Sequence, residues 1–297
     1  MLQPYLVVSL TFSMKITVAL LTILVSQWAL GQISGTVKGG ESENPIPFVN
    51  VWVKNTPIGA TTGKEGKFLI EKAEIGDSIH VSSLGYKTVE LPARRENNIV
   101  LRPKINMLDE VVVIPMKNSS EYLIESFKKI KKNRPWYNNG HYSLARFYRY
   151  KREYEKTPFI NRISLITNNA KKENVVFKIR LVKVAPNGEP SESGLIENRI
   201  MESEKRVNEV SVDLKQEKVV FPKNGFFVVV DRLNLEENKS YNRISKSDIL
   251  QPAIGMERTE QEKNTWFGFG GKWIPPSEMK EFLGTNGNIA VNVKLTN

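Results

Sequence analysis

The sequence predicts a mainly β protein: an N-terminal sandwich, a short helical connector and a C-terminal β-sandwich with a jelly roll as its candidate topology. Three observations predict it. Short β-rich runs alternate with Gly, Pro and Asn turns along almost the whole chain. A helical stripe is found at one place, beginning at Ser119–Ser120. The first thirty residues form an apolar leader unlike anything after them. These divide the 297 residues into a leader (1–31), a first sandwich (32–115), a connector (116–135) and a second β-rich domain (136–297). That length suits about two domains.

In the leader, Lys15 is followed by the apolar run Ile16 to Val25, and Ala29 and Gly31 supply the small residues before a cleavage site. The mature chain then begins near Gln32. Lys15 splits the apolar stretch into pieces shorter than the ~20 residues a bilayer span needs, so export is expected rather than a retained anchor. Met14 is a natural alternative start. No transmembrane span is expected after cleavage.

Each run of the first sandwich has a local reason. "ISGTVKG" opens as a strand, and "PIPFVNVWVKN" follows it, with Pro45 and Pro47 barring a helix and Phe48, Val49, Val51 and Val53 favouring extension. Gly63 and Gly66 make a turn ahead of Phe68, Leu69 and Ile70. "DSIHVSSLGYKTVEL" gives two strands around Leu84-Gly85-Tyr86, and "NNIVLRPK" another. "LDEVVVIP" closes the domain, with Pro115 stopping the strand.

The series Ile33-x-Gly35-x-Val37, "PIPFVNVWVKN", "GATTGKEGKF", "IHVSSLGYKT" and "LDEVVV" resembles the carboxypeptidase-regulatory-like domain, a seven-stranded transthyretin-like sandwich. The family usually carries Asp in the turn where this chain has Thr62-Gly63, so an Asx-type bond is not expected there. The resemblance implies a noncatalytic accessory domain of the gram-negative envelope, one also found at the front of glycan-importing TonB-dependent receptors. In such receptors "LDEVVV" (108–113) precedes a plug and is a candidate segment for engaging an energy-coupling protein by strand addition. The residues after Pro115 are too few for a plug and barrel, so a final strand plus linker is expected, with the coupling peptide kept open.

In the connector, Ser119 or Ser120 suits an N-cap, Tyr122, Leu123, Ser126, Phe127 and Ile130 form an apolar stripe, and Arg134-Pro135 ends the helix. Beyond it, basic and aromatic residues interleave from Arg134 to Lys156. Arg146 and Tyr148 are candidate ligand contacts there, since guanidinium groups bind anions and rings stack. The bland alternative is a strand with a solvated basic edge. Further strands surround Asn187-Gly188 and Asn224-Gly225. "NTWFGFGGKWI" reads as an aromatic hairpin turning at Gly270-Gly271, and "GNIAVNVKLTN" as the last strand. The hairpin offers Trp266, Phe269 and Trp273 as candidate sugar-binding residues, with a core-filling role as the alternative.

Composition excludes several chemistries. With no cysteine there is no disulfide, thiol nucleophile or lipoprotein anchor. His80 and His141 are the chain's two histidines, neither in a zinc-carboxypeptidase pattern, and no nucleophile elbow, P-loop or Rossmann pattern occurs. His80 is expected as a half-exposed sheet residue and His141 in a loop. Glu121, Glu125, Glu153 and Glu155 are available carboxylates without a distinguishing pair. The net charge of +11, in an exported chain, points to an acidic protein, anionic lipid or glycan rather than nucleic acid. The expected function is therefore an exported, noncatalytic envelope protein that contacts a partner protein or glycan, with no cofactor or metal. The alternatives are a hydrolase sited in the C-terminal domain and an accessory of TonB-dependent transport.

Overall fold

The computed structural model describes residues 32–104, 116–124, 127, 134–136, 141–169, 174–257, 263–278 and 287–297. The predicted leader and the "LDEVVV" segment lie outside the described residues.

Among the described residues the first sandwich has seven strands: β1 (Ile33–Gly39), β2 (Asn50–Val53), β3 (Gly59–Thr61), β4 (Lys67–Ile70), β5 (Ser78–Ser82), β6 (Val89–Pro92) and β7 (Glu96–Leu101). They form a three-stranded sheet, β4-β1-β7, and a four-stranded sheet, β3-β2-β5-β6. Only the β1–β7 pair is parallel here. The period of two sorts each strand. On β7, Asn97, Ile99 and Leu101 turn inward and their neighbours outward. Ile33, Val37, Phe68 and Ile99 meet Val51, Val53, Ile79 and Val81 between the sheets. Gly35 is required by space, since a Cβ would fall 2.3 Å from the Asn97 carbonyl oxygen. At the turn where an Asp was missing, the Thr62 hydroxyl accepts from the Val49 amide (2.9 Å) and donates to the Ile46 carbonyl (2.8 Å), tying the loop from the other side. The seventh described strand is β3, a run too short for sequence alternation to single out.

The start of the connector is corrected, and residues 125–126 and 128–133 of the expected helix lie outside the described residues. Glu121–Ile124 (β8) is a strand that pairs with the C-terminal strand β24 (Val291–Thr296), not a turn of helix. Its residues alternate between exposed and half-buried, and Tyr122 and Ile124 pack on the second core. Leu123, which a helical stripe would place beside Tyr122, is exposed on the opposite face, and an open sheet edge decides for the strand; Ser126 and Ile130 of the stripe lie outside the described residues. The Ser119 and Ser120 amides, expected at a helix start, both donate to Asn297 Oδ1 (2.9 and 3.0 Å). Arg134–Trp136 (β9) is likewise a strand and pairs with β20 (Ala253–Glu257).

The second domain is a sandwich. One sheet runs β13-β12-β17-β10-β21-β22 with β14 also on β12. Its strands are β10 (Ser143–Tyr148), β12 (Val175–Val184), β13 (Pro190–Gly194), β14 (Arg199–Ser203), β17 (Phe226–Arg232), β21 (Thr265–Phe269) and β22 (Lys272–Ile274). The other runs β23-β20-β11-β24-β8, with β15 and β16 on β11 and β9 on β20. Here β11 is Phe159–Asn168, β15 Val207–Asp213, β16 Val219–Val220 and β23 Asn288–Ile289. Leu144, Phe177, Ile179, Phe226 and Val228 from the first sheet bury against Ile163, Leu165, Val291 and Val293 of the second. Seven- and eight-stranded sheets exceed the eight strands in total of a jelly roll, so the sandwich holds and that topology does not.

Asn187-Gly188 does close a hairpin between β12 and β13, with Gly188 at φ +85°. Asn224-Gly225 does not close one, because β16 pairs with β11 and β17 with β10 and β12, so this turn carries the chain from one sheet to the other.

The two sandwiches dock through the outer face of the four-stranded sheet. Every residue of β2 is buried: Val51 and Val53 by their own core, Trp52 by the second domain's. The Trp52 ring stacks on His141 with centroids 3.8 Å apart. Asn234 donates its amide to Thr61 Oγ1 (3.0 Å) and its side chain to the Gly59 carbonyl (2.7 Å). At the other end, the Asn55 amide donates to the Gly270 carbonyl (2.9 Å), and a Cβ on Gly271 would fall 2.7 Å from the His80 ring.

Trp52→Ala is expected to lower the stability of the chain from Gln32 by about 3–5 kcal/mol, because the vacated volume lies between two sheets that cannot collapse on it. Urea unfolding checks this, and a loss under about 1 kcal/mol would contradict the docked arrangement.

Candidate ligand-binding site

The hairpin β21–β22 places its aromatics on two faces. Trp266 turns outward and Phe267 and Phe269 inward, as a period of two requires. Trp273 sits opposite Gly268, where a Cβ would fall 2.6 Å from the indole, so the glycine lets the ring lie against the strand. Trp266 and Trp273 are half-buried and cover Ala145, Val182, Phe227 and Val229 on the outer sheet face, together with Phe147, Val184 and Leu84 of the first sandwich. Phe269 is 7% exposed, packs near Phe267 in the main core and contributes to the wall of the cleft beside Trp273.

Arg146 and Tyr148 also change role. They lie on β10, held between β17 and β21 rather than at an edge, and are 8% and 4% exposed. Arg146 Nη1 donates to the Ile289 carbonyl (2.7 Å) and Nη2 pairs with Glu257 (2.9 Å). The Tyr148 hydroxyl donates to the Val291 carbonyl (2.7 Å), and burial raises its pKa well above the usual phenol range. Both side chains stitch the two sheets together from inside, which removes them from an accessible ligand surface and corrects the basic-edge reading as well.

Where the four-stranded sheet meets β12, β13 and the hairpin, a cleft of about 100 Å³ opens beside Trp273. Its walls include Asn50, Ser82 and Ser83 of the first sandwich and Arg180, Ser191 and Lys272 of the second. Below them lies a buried charge cluster. Asp231 accepts two bonds from Arg180, Nε to Oδ2 at 2.6 Å and Nη2 to Oδ1 at 2.8 Å, and one from Ser143 Oγ at 2.5 Å. Lys178 Nζ stands 3.4 Å from the same carboxylate and donates to the Phe48 carbonyl across the junction (2.9 Å). Burial opposes ionisation of Asp231, but Arg180, Lys178 and the Ser143 hydroxyl overcome it and hold the carboxyl well below its usual range. Burial lowers the Lys178 pKa, with Asp231 opposing. Asn50 is 6% exposed, and among the described residues its Oδ1 has no hydrogen-bond partner.

A wider groove of about 700 Å³ lies on the other side of the junction, with His141, Tyr142 and Phe267 beneath Ile58 and Leu69. His141 is 2% exposed, its Nε2 3.3 Å from Thr61 Oγ1, and burial lowers its pKa to about 3, with Asp231 opposing and Lys178 and Arg232 assisting. Glu71 and Asp248 are exposed residues of the groove wall rather than partners of the imidazole. His80 sits mid-strand on β5, as expected, with Nδ1 3.1 Å from Glu90. Of the carboxylates considered from sequence, Glu121 pairs with Lys294 (2.6 Å), Glu153 accepts from Tyr122 Oη (3.1 Å), Glu155 accepts from Lys223 (3.0 Å), and Glu125 lies outside the described residues. Among the described residues no three His, Asp or Glu side chains group as a metal site would require.

Residues 33–113 match the family model of the CarboxypepD_reg-like domain. Over 82 residues the chain is 42% identical to the TonB-dependent receptor SusC of Bacteroides thetaiotaomicron, a stretch covering 28% of this chain and 8% of the receptor. It is 36% identical over 84 residues to the TonB-dependent receptor P3 of Formosa agariphila, covering 28% and 8%. The chain thus spans less than a tenth of the length of the curated relatives it matches. Among solved structures, a DUF3823 family protein from Parabacteroides merdae aligns over 69% of this chain and 99% of its own, with 10% identity and a TM-score of 0.20.

Two predictions follow from the charge cluster and the buried imidazole. Asp231→Ala strands the buried Lys178 ammonium and the partly buried Arg180 guanidinium and should cost about 3–5 kcal/mol in urea unfolding, much of it recovered when Lys178 and Arg180 are also replaced by Met. His141 is held neutral in the fold and titrates near pH 6.5 when unfolded, so its contribution is complete above pH 6.5 and lost as pH falls toward about 3. Between pH 7.5 and 5.0 stability should fall by about 2 kcal/mol, and His141→Gln should flatten that slope.

Proposed function

We propose that this chain is an exported, noncatalytic protein of the gram-negative cell envelope, and that its docked sandwiches form a binding module that contacts an envelope glycan at their junction. The observation that carries this reading is the cleft itself. An indole lies beside hydroxyl, amide and guanidinium groups drawn from both sandwiches, the combination a sugar ring needs for stacking and hydrogen bonding. The leader at 1–31 supports export, and the 42% identity of the first sandwich to a TonB-dependent receptor supports the envelope. No described helix is long and apolar enough to cross a membrane. The noncatalytic reading is supported by His80, occupied by Glu90, and by His141, sealed under Trp52.

A second reading is an accessory of TonB-dependent transport that meets a partner protein through "LDEVVV". It is favoured by the matched segment, which runs to residue 113 and includes those residues.

A glycan array probed with the chain from Gln32, followed by titration of the best ligand, separates the two. Trp273→Ala is expected to weaken binding about tenfold or more, the scale of a stacking anchor, and Trp266→Ala by less. Glycan binding unchanged in both variants would sink the junction reading, and no glycan binding together with capture by an energy-coupling protein would favour the transport reading.

A further inference from the structure

We infer that the junction cleft is an acidic-sugar subsite, taking a saccharide residue that bears a carboxylate; this rests on reading the cleft as the glycan contact. The charges at the cleft do not cancel. Lys178 and Arg180 share one carboxylate, Asp231, and Lys272 adds an exposed cation on β22. The acidic wall residue Glu192 is engaged by the Thr88 hydroxyl and stands 3.6 Å from Lys104. A surplus of positive charge therefore faces the opening.

Arg180 is built to present part of that surplus in a fixed direction. Asp231 takes Nε and Nη2, which uses the side-on edge of the guanidinium. The end-on edge, formed by Nη1 and the second hydrogen of Nη2, remains, and the side chain is 14% exposed at the cleft wall. A planar fork held by one carboxylate is pre-organised for a second, because its rotamer entropy is already spent. The Ser82, Ser83 and Ser191 hydroxyls on the cleft walls offer the ring's own hydroxyls both donors and acceptors. Trp273 supplies the flat face for the ring. A cleft of about 100 Å³ admits the charged edge of one residue while the rest of the chain lies outside.

The test is calorimetric titration of the chain from Gln32 with tetragalacturonic acid and with its fully methyl-esterified form, which keeps the rings and removes the charges. The free acid is expected to bind about tenfold tighter, and Arg180→Gln should reduce that preference to about twofold or less. This substitution leaves Lys178 and Asp231 as a balanced buried pair, and urea unfolding confirms that the fold survives. Lys272→Gln, at the surface, should lower the preference about two- to threefold without affecting folding. Equal binding of acid and ester, both lost in Trp273→Ala, would overturn the acidic-sugar inference and leave the junction reading standing. Binding of neither would overturn the inference, and a blank glycan array would then remove the junction reading too.

Discussion

A single buried carboxylate decides how the two sandwiches meet. Asp231 has water on no side, so it must be answered by charge and hydrogen bonds from within the protein. Three neighbours answer it, and one of them, Lys178, also reaches across to the Phe48 carbonyl of the first sandwich. The same ammonium therefore compensates an anion in one domain and fixes the backbone of the other. Buried ion pairs contribute little net stability against an apolar isostere, but losing one partner leaves an uncompensated buried charge at a heavy cost. Apolar burial of Trp52 supplies attraction between the sandwiches, and the Asp231 cluster supplies the register.

That division explains why one face of the junction is filled and another is not. Around Trp52 and His141 the surfaces are ring against ring, with Asn234 satisfying the Gly59 carbonyl and the Thr61 hydroxyl. Toward Trp273 the opposing side chains are Ser82, Ser83 and Ser191, too short and too polar to close over the charges. A guanidinium needs more donors satisfied than one carboxylate can accept, so an open polar cleft forms where the charge cluster reaches the surface.

Much of the architecture was legible in the residues. Alternation marked β4, β5, β7, β12 and β24, and Gly-containing turns marked the hairpins at Gly188 and Gly270-Gly271. The misreadings have two causes: a local pattern shows neither whether a face meets water nor which distant strand a segment will pair with. Period-two alternation shows which residues share a face, but not whether that face meets water. Arg146 and Tyr148 share a face with Leu144, as alternation requires, yet β10 is a central strand and that face is the core. In β8 the exposed edge of β24, invisible to local pattern, turned an apparent helical stripe into a strand. Asn224-Gly225 made its turn, but long-range pairing carried the flanking strands to different sheets.

The candidate site was only half legible for the second of these reasons. Trp266 and Trp273 were visible as aromatics in a glycine-rich hairpin, but their partners Asn50, Ser82 and Arg180 lie far away in sequence and carry no motif. One local signal did exist. "NVWV" in β2 has no charged residue on either face, whereas a strand with one solvated face alternates apolar with polar residues. A bulky indole in the outward register of such a strand requires a second apolar body to cover it, and that body brings Lys178 and Arg180 beside Asn50. The docking of the two sheets is thus written in four residues of the first sandwich, while the chemistry that docking creates belongs to neither sandwich alone.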